Sequence, residues 1–304
     1  MFADRVAALV EERRSQIVLG LDPDPSRLWP VAVEAEPSEP ADPGERRRLA
    51  AEAVARHCRA AIEAAGPACV AVKPQLACFE RLGADGWQAL ESTVAAAHDH
   101  GLLVLADGKR GDVPVTAGAY AQALVGETPT PWGAVAGLGA DAFTANPLLG
   151  RDSLEPLVEA ADAAGAGCFV LVRTSNPGAA DVQDLDGGNG PVHESLARLV
   201  AELGAERIGD CGLSNVGAVT GATRPELLGR LRELMPNAIF LLPGVGAQGG
   251  KIDDLAAAFS PHPAAGLVTA SRSIVDAAGD AGDHAHAAAR AAEDMRRAAW
   301  ALAC

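Results

Sequence analysis

Apolar positions along the chain come in short, nearly unbroken runs, each ending in a polar or glycine-rich turn. They lie at 16–22 (QIVLGLD), 68–74 (ACVAVKP), 102–108 (LLVLADG), 141–146 (DAFTAN), 168–175 (CFVLVRTS), around 208–219 (IGDCGLSNVGAV), 238–245 (AIFLLPGV) and 265–271 (AGLVTAS). Runs of this length without polar alternation suit strands buried on both faces. Alanine-rich stretches with helical spacing separate most of them, among them 49–66, 86–101 and 153–165. Such strands, each followed by an amphipathic helix, predict a parallel sheet under a layer of helices. Eight units predict a closed (β/α)8 barrel of the α/β class rather than an open sheet. No interior shift in composition marks a boundary, so residues 1–304 are expected to form a single barrel domain. Surface insertions are expected near 31–48, 125–137 and 183–194; the Pro-, Glu- and Arg-rich 34–48 and the Gly- and Asp-rich 183–194 read as mobile loops.

Composition narrows the function. The chain has 304 residues, 49% hydrophobic and 21% charged, which is ordinary for a globular protein. Its formal net charge of −15 excludes a nucleic-acid surface, since phosphate neutralisation needs clustered Lys and Arg. An anionic ligand would have to be caught locally. The N-terminal MFADRVAALVEERRSQ has no signal-peptide layout, and no stretch reaches the roughly 18 apolar residues of a membrane span, so a soluble cytoplasmic protein is expected. Six cysteines without a C-x-x-C pair lie mostly inside apolar runs and read as reduced, buried thiols.

In a barrel, the carboxyl ends of the strands share one mouth. The first run ends in Asp22, the second in Lys73, the third in Asp107 and Lys109, the fifth in Ser175 and Asn176, and the eighth in Ser271 and Arg272. The glycine-rich 244–250, which holds Gln248 and Gly249, follows the seventh. Its backbone N–H groups, the helix start expected at SRSIV and the forked guanidinium of Arg272 together suit a phosphate, although a plain glycine turn would read the same. Side chains two apart share a strand face, so Asp107 and Lys109 are expected to point into the mouth with Lys73 beside them. The plainer account is a salt-bridge network that only ties strand ends together. His284 and His286 diverge on a helix and read as solvated surface histidines rather than metal ligands. Asn176 precedes Pro177 and suits a turn.

Taken together, these motifs resemble orotidine 5′-phosphate decarboxylases, specifically the longer bacterial form (type 2 subfamily). The D-x-K-x-x-D signature stands at Asp107, Lys109 and Asp112, with Thr116 four residues on. LGLDPDP, AVKPQ, TSNPGA, PGVGAQGG and TASRSI extend the resemblance from about residue 16 to 275. The resemblance implies decarboxylation of orotidine 5′-phosphate to uridine 5′-phosphate, with no metal and no cofactor. It implies that Lys109 protonates pyrimidine C6 and that Asp107 sits near the substrate carboxylate between Lys73 and Lys109. Asp22 and Lys73 would hold ribose hydroxyls, and Ser175 would address the pyrimidine edge. Gln248 and Arg272 would grip the phosphate, with Gly249 counted among the substrate-binding positions. Asp112 and Thr116 would reach the neighbouring subunit's site in an active homodimer. Two other readings stay open. One is a magnesium-dependent sugar-phosphate decarboxylase or aldolase on the same barrel, which would place an acidic residue where Lys73 stands. The other is a non-catalytic nucleotide-phosphate-binding barrel, which would have no need of the Asp107–Lys109 pair.

Overall fold

Eight parallel strands close on themselves in the computed structural model, which describes residues 1–33, 42–279 and 282–304. In chain order the strands are β1 (Ile17–Leu21), β2 (Ala71–Pro74), β3 (Leu103–Arg110), β4 (Glu127–Thr130), β5 (Gly133–Ala136), β6 (Ala142–Ala145), β7 (Gly167–Arg173), β8 (Ser214–Thr220), β9 (Ala238–Leu242) and β10 (Gly266–Ala270). Pairing runs β1–β2–β3–β6–β7–β8–β9–β10 and back to β1, which is the expected barrel. Each of the eight apolar runs contributes one barrel strand. The sixth starts late. Residues 209–212 form a tight turn, closed by the Gly209 amide on the Leu213 carbonyl at 2.8 Å with Gly212 at φ +81°, so regular pairing begins only at Ser214.

Period-two alternation explains why the strands are apolar throughout. Val18, Leu105, Phe169, Ile239 and Leu267 point into the barrel and form one buried cluster. Their neighbours Leu19, Val104, Val170, Phe240 and Val268 point outward and pack under helices such as Pro43–Ala65 and Gly83–Asp99 in a second cluster. Continuing the inward phase toward the carboxyl ends reaches Lys73, Asp107, Thr144 and Thr269, all buried. The barrel thus carries an apolar floor beneath a polar upper layer, and the alternation itself places the charged residues inside.

The expected insertions have structure. β4 and β5 pair antiparallel as a hairpin within 125–137, leaving Trp132 92% exposed at its tip. The stretch 183–194 is anchored rather than merely mobile. Asp184 accepts from Arg173 Nε and Nη2 at 2.8 and 3.0 Å, and the Gln183 carbonyl accepts from the His193 amide at 2.9 Å. A buried arginine at the end of β7 needs a carboxylate, and this loop supplies it. Of the excursion expected at 34–48, residues 34–41 lie outside the described residues, while the helix Pro43–Ala65 begins directly after the Asp42 cap.

The thiol reading holds for Cys58, Cys69 and Cys168, each buried and each pushed up to about 12 by that burial. The histidine reading holds only for the exposed His286. His284 is half-buried and stacks on Trp29 with ring centroids 5.7 Å apart, and its Nδ1 is enclosed without a partner. Among the described residues no group of three or more His, Cys, Asp or Glu gathers as metal ligands do, and no helix is long and apolar enough to cross a membrane.

The helix Phe2–Arg13 plugs the amino end of the barrel. Phe2 meets Phe169 edge-on at 5.9 Å, and it lies so close to Gly167 that a Cβ there would stand 2.4 Å from its ring. Only glycine fits at that position. Truncating Phe2→Ala is expected to lower the unfolding free energy by about 3 kcal/mol through the cavity it leaves. Urea melts followed by circular dichroism measure this, and an unchanged midpoint would remove the plug from the account of stability.

Candidate active site

A cavity of about 620 Å3 opens where the carboxyl ends of the barrel strands converge. Asp22, Lys73, Asp107, Lys109, Ser175, Gln248 and Arg272 all line it. Its charged lining is therefore three cations against two carboxylates, an excess of one positive charge in a chain of net charge −15.

Asp107 is the centre of this layer. Its carboxylate is 5% exposed, with Lys73 Nζ at 2.7 Å on Oδ2 and Lys109 Nζ at 2.6 Å on Oδ1. Gln75 Nε2 donates to Oδ2 at 3.2 Å, and the Thr144 hydroxyl lies 2.9 Å from Oδ1. Burial alone would raise the carboxyl's pKa, but Lys73 and Lys109 more than reverse it and hold the group far below the ordinary carboxylate range. Burial likewise pushes the Lys73 ammonium down. Asp107 and then Asp22 outweigh that effect, and its pKa stands above the ordinary lysine value. Asp107 and Lys73 thus stay charged at neutral pH by mutual support.

Lys109 reaches Asp107 by a different route from simple alternation. The register of β3 against β6 shifts between Ala106 and Arg110, and Lys109 itself takes φ +47°, the left-handed region. There its amide donates to Thr144 Oγ1 at 2.8 Å, while Arg110 turns away to Glu80 and lies over the Tyr120 ring at 5.3 Å. A non-glycine residue with positive φ is uncommon, and here it accompanies a charged group aimed into a cleft.

The glycine-rich loop differs from the expected cradle of open amides. The Gly246, Gly249 and Gly250 amides bond inside the loop at 2.8–3.0 Å, and the Ala247 amide turns to Ser273 Oγ at 3.3 Å. Gly249, at φ +90°, shapes the turn and does not line the cavity. The helix Arg272–Val275 is a single turn, too short for much axial dipole. The cationic group this end of the cavity offers is a side chain. Arg272 is exposed and lines the cavity, forming no ion pair among the described residues, and Gln248 lines the same cavity from the loop.

Ser175 is pinned from behind by the Thr223 hydroxyl on its carbonyl at 3.2 Å. Asn176 lines the cavity too, but its Oδ1 accepts from the Thr174 hydroxyl at 2.7 Å and its carbonyl holds the next turn, as a turn residue does. Asp112 and Thr116 do not line the cavity of their own chain. Thr116 is exposed, and Asp112 caps the neighbouring Val113 amide at 2.7 Å. Sequence reasoning missed Gln75 and Thr144. Gln75 lies two residues beyond Lys73, and Thr144 is the one hydroxyl in an apolar strand, so the same inward phase would have found both.

The chain matches the family model described as orotidine 5′-phosphate decarboxylase / HUMPS family over residues 15–289. It is 43% identical over 277 residues to an orotidine 5′-phosphate decarboxylase of Rhodopirellula baltica, covering 90% of this chain and 88% of that one. The decarboxylase of Deinococcus radiodurans is 43% identical over 279 residues, covering 91% of this chain and 90% of the relative. The solved structure of Leishmania donovani OMP decarboxylase superposes with a TM-score of 0.71 at 30% identity, covering 98% of each chain.

Removing Asp107 as Asp107→Ala leaves Lys73 buried without its main counter-charge, at a cost of about 3 kcal/mol in stability. Because the folded-state pKa of Asp107 is depressed, its contribution is complete above the unfolded value. The gap between wild type and variant should stay constant from about pH 8 to 5 and shrink as the pH falls below about 4. Thermal melts across that range check it, and a gap that widened in acid would contradict the charge assignment.

Proposed function

The chain belongs to the orotidine 5′-phosphate decarboxylase / HUMPS family, and from that premise and the geometry of the barrel mouth we infer that it decarboxylates orotidine 5′-phosphate to uridine 5′-phosphate. This is the last step in building that pyrimidine nucleotide. The observation that carries the assignment of roles is Lys109 Nζ, held 2.6 Å from a buried carboxylate in the same cavity as Arg272, which forms no ion pair among the described residues.

Loss of carbon dioxide leaves an electron pair on C6 of the pyrimidine ring. In this reading the Lys109 ammonium stabilises that charge and then delivers its proton to C6. An ammonium 4 Å from a developing anion contributes about 4 kcal/mol at an effective dielectric near 20, and because it is already oriented, no reorganisation is needed at the moment of reaction. Asp107 faces the departing carboxylate and keeps Lys109 and Lys73 in register. Asp22 and Lys73 hold the ribose hydroxyls, and Ser175 addresses the pyrimidine edge. Gln248 and Arg272 take the phosphate, whose binding far from C6 orients the ring. No metal or cofactor has a part in these steps. A magnesium ion at the end of β2 would face the Lys73 ammonium.

The active form in this reading is a cytoplasmic homodimer, with Asp112 and Thr116 lent to the partner's site. The exposure of Thr116 and the position of both residues outside their own chain's cavity support it, as do Val113, Val115 and Leu148, 57%, 88% and 78% exposed. Exposed apolar side chains beside Asp112 and Thr116 in the chain suit an interface.

Two experiments test the reading. Following the absorbance of orotidine 5′-phosphate, Lys109→Ala should lower kcat by about a thousandfold or more, and a chelator should leave the wild type unchanged. Full turnover by Lys109→Ala would remove the proton donor. Mixing inactive Lys109→Ala with inactive Asp112→Ala should restore roughly a quarter of wild-type activity, since half the dimers are mixed and each carries one intact site. No recovery after subunit exchange would place Asp112 in its own chain's site.

A further inference from the structure

We propose that Thr144 is a positioning residue for the reaction: its hydroxyl fastens both ends of the Asp107–Lys109 pair and holds Lys109 in its left-handed turn. The inference rests on the assignment of Lys109 as the proton donor.

Thr144 is 1% exposed on the inner face of β6 and lines the floor of the cavity. Its Oγ1 stands 2.8 Å from the Lys109 amide and 2.9 Å from Asp107 Oδ1. A threonine hydroxyl has one hydrogen and two acceptor sites, and an ionised carboxylate only accepts. The directions are therefore determined: the hydroxyl donates to Asp107, and a lone pair receives the Lys109 N–H. The same Oδ1 receives the Lys109 ammonium at 2.6 Å, so the hydroxyl closes a ring of contacts through the lysine's backbone and its side chain.

This ring matters because Lys109 is not in strand geometry. With φ at +47° it sits where non-glycine residues are uncommon, and such conformations persist only when their surroundings over-determine them. The flanking restraints are aimed elsewhere. The Arg110 side chain pairs with Glu80, and its carbonyl accepts the Asn146 amide at 2.7 Å, which fixes the strand after the turn but not Lys109 itself. Thr144 is the group that holds the Lys109 N–H. Without the hydroxyl, the amide loses its partner in a partly buried site, and the turn is free to relax toward extended backbone. That would swing Nζ away from Asp107 and from the reacting carbon. A displacement of about 1 Å at a reacting group costs on the order of a hundredfold in rate.

The test uses Thr144→Val, which keeps shape and volume but removes both hydrogen bonds, and Thr144→Ser, which restores them. For Thr144→Val, kcat should fall by about thirtyfold to a hundredfold while the Kd for uridine 5′-phosphate, measured by calorimetry, stays within about threefold. Thr144→Ser should regain kcat to within about threefold of wild type. A crystal structure of Thr144→Val should show Lys109 out of the left-handed region or its Nζ off Asp107. A Thr144→Val enzyme with wild-type kcat overturns the proposal, as does a Thr144→Ser enzyme as slow as the valine variant. A loss that appears equally in product affinity also overturns it, because that marks a general packing role. If Thr144→Val fails to fold, Thr144→Ala carries the same comparison. Lys109→Ala is assayed alongside. Should it turn over normally, the assignment of Lys109 fails; should it be inactive while Thr144→Val is fully active, only the positioning role of Thr144 fails.

Discussion

A carboxylate as deeply buried as Asp107 survives in ionised form only because an ammonium stands on each of its oxygens. The same fact read from the other side keeps Lys73, equally buried, protonated. Neither charge could occupy the barrel interior alone. The arrangement is therefore interlocked, and every element that supplies a member of it, β2, β3 and β6, is held in relative register by the electrostatics as well as by the ladder. That interlock gives the cavity a fixed pattern of charge before any ligand arrives, which is the condition under which charge stabilisation contributes most to a reaction.

The pattern sits on an apolar floor. Leu171, Val219 and Leu241 reach the cavity from strands whose lower residues fill the barrel, so the polar layer has dry neighbours on one side and loops on the other. Low local polarisability strengthens each contact above it. On the far rim, the exposed Arg272, without an ion pair among the described residues, completes a cavity that is positive by one charge, although the chain as a whole is strongly acidic. A substrate bearing a phosphate and a carboxylate is thus repelled by the general surface and attracted by one place on it. In the proposed reading the two ends of the cavity divide the work, with the phosphate end supplying affinity and the Lys109 end supplying the difference between ground state and transition state.

The loop from Thr174 to Val192 shows how a surface segment comes to serve such a site. Its Gln183 side chain accepts the Thr174 amide at 2.8 Å and its Asp184 clamps the buried Arg173, so Ser175 stands on a braced end of β7. An aspartate and a glutamine in a glycine-rich stretch look like ordinary solvated loop residues. Their partners are nine and eleven positions away and become visible only once the chain folds back.

What was legible beforehand follows from local physics. Strand length, the absence of polar alternation and the intervening helical periodicity were enough for the closed parallel barrel, because burial on both faces leaves only one common architecture for eight such units. The positions of Lys73, Asp107, Ser175, Gln248 and Arg272 at strand ends followed from the same runs. Tertiary structure decided what depends on backbone departing from those regularities: the left-handed turn at Lys109, the spending of the Gly246, Gly249 and Gly250 amides on the loop itself, the stacking of His284 on Trp29, and the joining of Thr144 and Gln75 to Asp107. Periodicity says which way a side chain points while the strand is regular. At the last residues of a strand, where chemistry is done, hydrogen bonds from distant parts of the chain set the geometry, and a linear pattern carries no record of them.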